Sequence, residues 1–263
     1  MTTVADIVAF FDACYPPATA EAWDAVGLVV GDPQADVRRV LFAVDPVEAT
    51  VRQALDGGYD LLVTHHPLYL RGTTTVAAST VKGRLVHDLI RGGCGLFVAH
   101  TNADVATPGV SDALAAAVGL LDVRPMQPGA LTLGRVGELP EPITVQALVD
   151  RIAAALPATA AGVRASGDPD RLISRLAVSG GAGDSLLVEA AAVAQAFLTA
   201  DLRHHPASEA PAGLTLIDVA HWASEWPWLQ DAASRLSAAT TVDTHVSVID
   251  TDPWTYCSRS PQA

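Results

Sequence analysis

The stretch DLLVTHHPLY (residues 60–69) places two adjacent histidines at the carboxyl end of a short apolar segment. The apolar residues 61–63 have the continuous pattern that a strand buried on both faces of a parallel sheet shows. Segments with helical periodicity lie on either side, at 47–58 and 81–93, and both end at paired glycines. The stretch therefore predicts a strand within an alternation of strands and helices.

The same alternation continues along the chain and predicts the fold class. Further strands are expected at 40–45, 94–101, 131–139, 175–181, 196–201, 214–221 and 243–250. We expect an α/β protein of two similar α/β halves, each a mostly parallel sheet flanked by helices, with a metal site between them. The Pro- and Gly-rich middle predicts a boundary that separates residues 1–125 from 126–263. The two halves are expected to form one compact unit without an inserted domain.

Composition restricts the classes of function. Half of the 263 residues are apolar and 17% are charged, as in globular proteins, and the net charge of −13 disfavours nucleic acid as a partner. The three cysteines form no C-x-x-C pair, which fits a reducing compartment. The first 17 residues have the pattern of an amphipathic helix and not of a signal peptide, and no apolar run reaches membrane-spanning length. We expect a soluble, cytoplasmic protein that does not bind membranes.

Chemically active side chains follow several of the predicted strands. Ligand sites in open α/β sheets form beyond the carboxyl ends of the strands. His87 and His245 lie inside a predicted helix and a predicted strand and are interpreted as structural. An isolated pair of adjacent histidines such as His65 and His66 is also more often structural than ligating. Adjacent strand residues point to opposite faces, so His65 and His66 would reach two nearby ions more easily than one. The pair therefore favours a dinuclear metal centre.

The segments HTNAD (100–104) and HWASE (221–225) supply the carboxylates that such a centre needs. If the chain is helical at HWASE, His221 and Glu225 lie on one face, four residues apart. Taken alone, Glu225 is explained as a first-turn helix acid and Asp104 as a turn residue. Together with His65 and His66, they form a nitrogen and oxygen set that suits Zn, Mn or Fe.

Two other segments have weaker signals. SGGAGDS (179–185) could hold a phosphate at a helix N-terminus, but a structural turn is the more common explanation. ADLRHH (200–205) offers His204 and His205 as general acid or base, with a polar surface loop as the equal alternative. His100 is a third candidate for moving a proton.

Taken in order, six motifs resemble a known family over residues 20–250. The motifs are WDAVGLVVGDP, VTHHPLY, AHTNADVATPGVSDAL, VSGGAGDSLL, LTADLRHH and DVAHWASE. They are similar to those of the NGG-interacting-factor-three-like dinuclear metal-binding family, whose members are named GTP cyclohydrolase 1 type 2. The resemblance implies five metal ligands: His65, His66, Asp104, His221 and Glu225. It also implies that Glu225 bridges two divalent ions, with His66 and Asp104 on one and His65 and His221 on the other.

The resemblance further implies a homohexamer and a metal-dependent hydrolase. Metal-activated water would attack a nucleotide ring or a phosphoester or ester, and the partner would be a small molecule, with nucleotides among the candidates. The alternative is a non-enzymatic, metal-binding hexameric scaffold or regulatory protein; a phosphate-binding module at 179–185 is a third hypothesis. The chain departs from the family pattern at Ala200 and Ala220, where glycine is common, which would matter if either position needs a positive φ.

Overall fold

The computed structural model describes residues 1–127 and 133–258. The chain divides into two compact units. The first unit comprises Met1–Ala106 and Leu229–Thr251, and the second comprises Thr107–Trp228 and Asp252–Ala263. Each unit has its own sheet and is described separately.

The predicted strands occur in the predicted order, and the described residues contain further short strands at 27–30, 121–125 and 164–165. In chain order the strands are β1 (Gly27–Val30), β2 (Arg39–Ala43), β3 (Leu61–Thr64), β4 (Gly95–Val98), β5 (Leu121–Pro125), β6 (Arg135–Thr144), β7 (Arg164–Ala165), β8 (Leu172–Ala182), β9 (Ala196–Ala200), β10 (Thr215–Val219) and β11 (Asp243–Val246). The helices are α1 (Val4–Cys14), α2 (Glu48–Asp56), α3 (Val81–Gly92), α4 (Thr101–Val105), α5 (Val110–Val118), α6 (Val145–Ala155), α7 (Leu187–Val193), α8 (His204–Ser208) and α9 (His221–Ala239).

The first unit is built on a five-stranded sheet of order β1-β4-β3-β2-β11. Pairing is parallel from β4 through β3 and β2 to β11, and only β1 is antiparallel within this sheet. Alternate residues of the central strands face opposite sides, as strand geometry requires. Leu41 and Leu96 pack against α2 and α3, whereas Phe42 and Phe97 pack against Phe11 of α1. Helices therefore cover both faces of the sheet. Because both faces are buried, the central strands consist of continuous apolar residues.

The second unit has a six-stranded mixed sheet of order β5-β6-β8-β9-β10-β7. The strands β8, β9 and β10 are parallel, while β5, β6 and β7 join through antiparallel pairs. Helices α5 and α6 pack on one face against Leu176 and Leu198, and α7 packs on the other face against Phe197. The predicted α/β class with helix-flanked sheets is confirmed, and this sheet contains more antiparallel pairing than the sequence indicated.

The division into units differs from the boundary expected at residue 125. Helix α5 packs on the second sheet, so the first unit ends at Ala106. In return, β11 pairs in parallel with β2 from Asp243 to Val246, so a late segment completes the first sheet. The predicted strand at 131–139 is observed as β6, and its first two residues lie outside the described residues.

Local sequence signals explain where the helices begin and end. The side chain of Thr80 accepts a hydrogen bond from the backbone N–H of Gly83 and caps the start of α3. The same helix ends at Gly93, whose φ of 69° is the left-handed conformation that glycine adopts without strain. The paired glycines of the sequence thus end this helix as predicted. Among the described residues there is no helix long and apolar enough to cross a membrane.

Replacement of Leu62 tests how strongly the first sheet depends on its central strand. Leu62 lies on β3, is 0% exposed and belongs to the cluster formed with α2 and α3. We expect Leu62→Ala to lower the free energy of unfolding by about 2–5 kcal/mol, because it leaves a cavity in a closely packed layer. Ile90→Ala, at a position on α3 that is 64% exposed, is the control and should change it by far less. Urea denaturation measures the free energy of unfolding of both variants. Equal losses in the two would contradict the assignment of Leu62 to the core of the first sheet.

Candidate metal centre

In the first unit, the end of β3 brings three histidines together. His65 and His66 follow β3 directly, and His100 follows β4, its parallel neighbour. Parallel strands that start in register also end at one edge of the sheet. Each of the three imidazoles offers a ligand nitrogen, and these nitrogens lie within 4.8 Å of one another. The sequence prediction that these histidines meet at strand carboxyl ends agrees with this geometry.

Hydrogen bonds at Nδ1 set the orientation of His65 and His66. His65 is fully buried, and its Nδ1 lies 2.9 Å from the carbonyl oxygen of Ala99. A carbonyl only accepts, so Nδ1 carries the proton and Nε2 is the nitrogen of neutral His65 with a lone pair. The Nδ1 of His66 lies 2.7 Å from Oδ1 of Asp45, at the end of β2. Both rings thus present Nε2, as metal-binding histidines do when their other nitrogen donates to an acceptor.

Asp104 joins this group because HTNAD forms the short helix α4 instead of an open loop. Its Oδ1 lies 3.7 Å from Nε2 of His65. The start of α4 is fixed by Asn102, whose Oδ1 accepts from the backbone N–H of His100 at 2.9 Å. The amide nitrogen of Asn102 donates to the carbonyl of Tyr15 at 2.7 Å. The asparagine therefore holds the helix that carries Asp104 beside the histidines.

His100 is held by Asp24, which lies 76 residues earlier in the chain. The Nδ1 of His100 is 2.8 Å from Oδ1 of Asp24, and the other carboxylate oxygen accepts from the backbone N–H of Thr101 at 3.0 Å. Burial and the neighbouring His65 lower the pKa of His100 to about 4, despite the opposing effect of Asp24. His100 is therefore neutral at pH 7. No local signal in the sequence connects Asp24 with His100.

In the second unit, His221 and Glu225 form a close pair on the first turn of α9. The helix begins at His221, so the two side chains lie on one face, as the four-residue spacing predicts. His221 Nε2 lies 2.9 Å from Glu225 Oε1, and its Nδ1 lies 2.8 Å from Oδ2 of Asp201. Burial lowers the pKa of His221, but Glu225 and Asp201 outweigh it and raise the pKa to about 11. Two carboxylates around one ring favour positive charge, supplied by a proton or by a metal cation.

Asp201 reaches His221 from an unusual backbone conformation. Its φ is 56°, in the left-handed region that aspartate tolerates better than most residues. The two alanines that depart from the family pattern, Ala200 and Ala220, are not among the described residues with positive φ. Neither alanine therefore strains the backbone, and the left-handed turn falls on the residue that orients His221.

Gly181 forms the wall next to the His221–Glu225 pair. A Cβ at this position would lie 2.6 Å from Glu225 Oε1 and 3.2 Å from His221 Nε2, and its φ is +66°. Its backbone N–H donates to the hydroxyl of Ser224 at 2.9 Å, and its carbonyl accepts from Thr199 at 2.9 Å. The segment SGGAGDS thus continues β8 as far as Ala182 and leaves space at the ligand atoms. The sequence pattern predicted a structural turn at this segment and gave no sign that Gly181 leaves space beside Glu225.

His204 and His205 lie in a different environment from the other candidates. Both are exposed on the short helix α8, and their rings contact each other at 5.2 Å between centroids. The preceding Arg203 pairs with Asp184. The structure therefore presents these two histidines to solvent, whereas His100 is packed against His65 and His66.

The donor sets of the two units fit a divalent transition metal. The first offers imidazole nitrogens of His65 and His66 and the carboxylate of Asp104, and the second offers the His221–Glu225 pair. Imidazole and carboxylate ligands suit Zn, Mn and Fe. The absence of a Cβ at Gly181 leaves space at the His221–Glu225 pair. Every candidate histidine ligand is fixed through Nδ1. The residues present therefore fit such an ion.

Gly181→Ala tests whether metal binding needs the space that Gly181 leaves beside Glu225. The added methyl group would meet Glu225 Oε1, and we expect the variant to bind substantially less metal than the wild type. Gly213→Ala is the matched control, because Gly213 also has a positive φ, of +87°, but a Cβ there would meet nothing within 4 Å. Both variants share the backbone strain, so only Gly181→Ala should change the metal content measured by elemental analysis. Equal metal content in the two would show that the close approach is unimportant.

Asp45→Ala tests the orientation of His66. Without the carboxylate, the ring loses the acceptor at Nδ1, and we expect metal affinity to fall about 10- to 100-fold. The exposed Asp56, at the end of α2, supplies the control Asp56→Ala, which should bind metal as the wild type does. Competition with a chromogenic chelator measures the affinity. An unchanged affinity in Asp45→Ala would mean that the strand alone positions His66.

Comparison with known proteins supports a single family. The sequence model of the family described as Duf34/NIF3 (NGG1p interacting factor 3) matches residues 2–253. A Streptomyces coelicolor protein named GTP cyclohydrolase 1 type 2 homolog is 56% identical over 270 residues, covering 97% of this chain and 94% of the relative. A Mycobacterium tuberculosis protein of the same name is 40% identical over 366 residues, covering 95% of this chain and 96% of the relative.

The mycobacterial alignment is longer than the 263 residues of this chain, so that relative contains residues that have no counterpart here. Among solved structures, a Bacillus cereus protein related to NIF3 has a TM-score of 0.91 at 21% identity, covering 98% of this chain and 99% of that one, and supports the fold. A Staphylococcus aureus hypothetical protein has a TM-score of 0.89 at 28% identity, covering 97% and 99%. The chain belongs to the Duf34/NIF3 family, as its ordered motifs indicated.

Proposed function

We propose that this protein is a dinuclear metal-dependent hydrolase whose substrate is a small molecule of the nucleotide type. The ligands would be His65, His66, Asp104, His221 and Glu225. The observation that carries the proposal is the orientation of the three ligand histidines, each with Nδ1 engaged by an acceptor, so that Nε2 is the ligand nitrogen. The name GTP cyclohydrolase 1 type 2 homolog, borne by the relatives, supports a nucleotide as the substrate class.

Within this proposal, the side chains bind the ions and the ions activate water. A pair of divalent ions supplies Lewis acidity and lowers the pKa of water. Glu225, which is almost fully buried, brings negative charge to a place with little solvent screening and so favours cations strongly. By resemblance, it would be the shared ligand.

Proton transfer is assigned first to His100. Its ring is packed against both His65 and His66, and Asp24 fixes its orientation. His204 and His205 stay candidates for moving protons to solvent, because both are exposed. The hexameric assembly and the cytoplasmic location also stay predictions; size-exclusion chromatography with light scattering tests the first.

The decisive experiment is metal content per chain, measured by elemental analysis on protein purified without added metal. We expect about two ions per chain in the wild type and a clear loss in Glu225→Ala, because the buried carboxylate would serve both ions. Glu141→Ala, at an exposed position of β6, is the control and should retain the metal. Wild-type protein that is folded but still contains no metal after a metal-supplemented preparation would refute the centre.

Activity is tested separately on protein of known metal content. Guanosine triphosphate and activated phosphoesters are the first substrates, with His100→Gln beside the wild type. We expect turnover that chelation abolishes and that His100→Gln reduces while metal content is retained. Metal-loaded protein that hydrolyses neither class would favour the scaffold hypothesis over the hydrolase.

A further inference from the structure

A cavity in the second unit lies directly against His221. Its volume is about 480 Å³, within the range of small-molecule sites. Part of its lining comes from the end of β10 and the first residue of α9, and another part, the C-terminal wall, comes from Asp252 and the segment that follows it. A molecule in this cavity would therefore touch a residue of the proposed metal centre.

The C-terminal wall of the cavity carries two aromatic side chains that this unit does not bury. Trp254 is 69% exposed and Tyr256 is 86% exposed, and both line the cavity. Large aromatic side chains usually contribute most of their area to a core or to an interface. The backbone at Trp254 is anchored, because its N–H donates to Oδ1 of the buried Asp252 at 2.9 Å. Exposed aromatic faces that line a cavity favour a flat ring as the bound partner.

The polar lining of the same cavity is rich in carboxylates. Asp201, Asp218 and Asp252 contribute acceptors, and the guanidinium of Arg164 is paired with Asp218, with Nε and Oδ2 2.7 Å apart. A carboxylate has about four lone-pair positions, so these groups can accept from a ligand in addition to their contacts within the chain. The lining therefore complements a ring that carries N–H donors on its edge.

We propose that this cavity binds a planar nitrogen heteroaromatic ring of the nucleobase type, stacked on Trp254 and Tyr256 and donating N–H groups to the carboxylates. The inference rests on the proposed function for its catalytic meaning, since the cavity would present the ring to the centre at His221. It assigns the recognition of the ring to the last described residues of the chain, which none of the family motifs includes.

Guanosine is the probe, because its N1–H and amino group present adjacent donors and it carries no phosphate that could bind a metal directly. Binding is measured by isothermal titration calorimetry on protein whose metal content is known. We expect saturable binding to the wild type, weakened at least about tenfold in Trp254→Ala and in Tyr256→Ala, as loss of base stacking predicts. Val188→Ala, an exposed apolar position on α7 of the same unit, should bind as the wild type does.

A second ligand tests the carboxylates. 1-Methylguanosine stacks equally well but lacks the N1–H, and we expect it to bind more weakly than guanosine to the wild type. No guanosine binding, or equal binding by Trp254→Ala and Val188→Ala, overturns the proposal. Equal binding of the two nucleosides overturns the role of the carboxylates.

The result also separates this proposal from the metal centre. Guanosine binding that depends on Trp254, in protein that takes up no metal after supplementation, supports the ring pocket, while the metal content of that protein refutes the centre. Metal-loaded protein without guanosine binding refutes the ring pocket and leaves the centre standing. Thermal unfolding of each variant checks that the exposed substitutions leave the fold intact.

Discussion

The hydrogen bond between an imidazole Nδ1 and a fixed acceptor is the interaction on which the candidate site depends. His65 uses the carbonyl of Ala99, His66 uses Asp45, His100 uses Asp24 and His221 uses Asp201. An imidazole has two nitrogens and rotates easily about two bonds, so an unanchored ring offers either nitrogen in many directions. Anchoring one nitrogen defines which atom meets a ligand and where it lies.

The anchors are possible because the sheets place strand ends side by side. Ala99 follows β4, and the acceptor Asp45 lies just beyond β2, the other parallel neighbour of β3. The register of the parallel pairs brings these residues level with His65 and His66 without any long loop. The buried central strands, with helices on both faces, give this edge a rigid base. In the second unit, β9 and β10 are parallel in the same way, and they bring Asp201 beside His221.

The electrostatics of the two groups differ, although both would serve cations. Burial and the neighbouring imidazoles lower the pKa of His100 to about 4, so its ring is neutral. Around His221, two carboxylates dominate, and the pKa rises to about 11. A chain that carries a net charge of −13 is a suitable setting for cation binding, but the bulk charge does not select the place. The selection comes from buried carboxylates such as Glu225, which have few ways of being neutralised other than by a proton or a metal.

The α/β class, the strand at DLLVTHH and the family could be predicted from the amino-acid sequence, because apolar periodicity and motif order are properties of the chain that need no tertiary contact. The four-residue spacing placed His221 and Glu225 on one face on the condition that HWASE is helical, and the structure met that condition by starting α9 at His221. The packing of α5 on the second sheet and the pairing of β11 with β2 could not be predicted, because a contact between strands about 200 residues apart leaves no local signal in the sequence. Only the fold joined Asp24 to His100 and brought Gly181 against Glu225, since both contacts depend on which strands end next to one another in space.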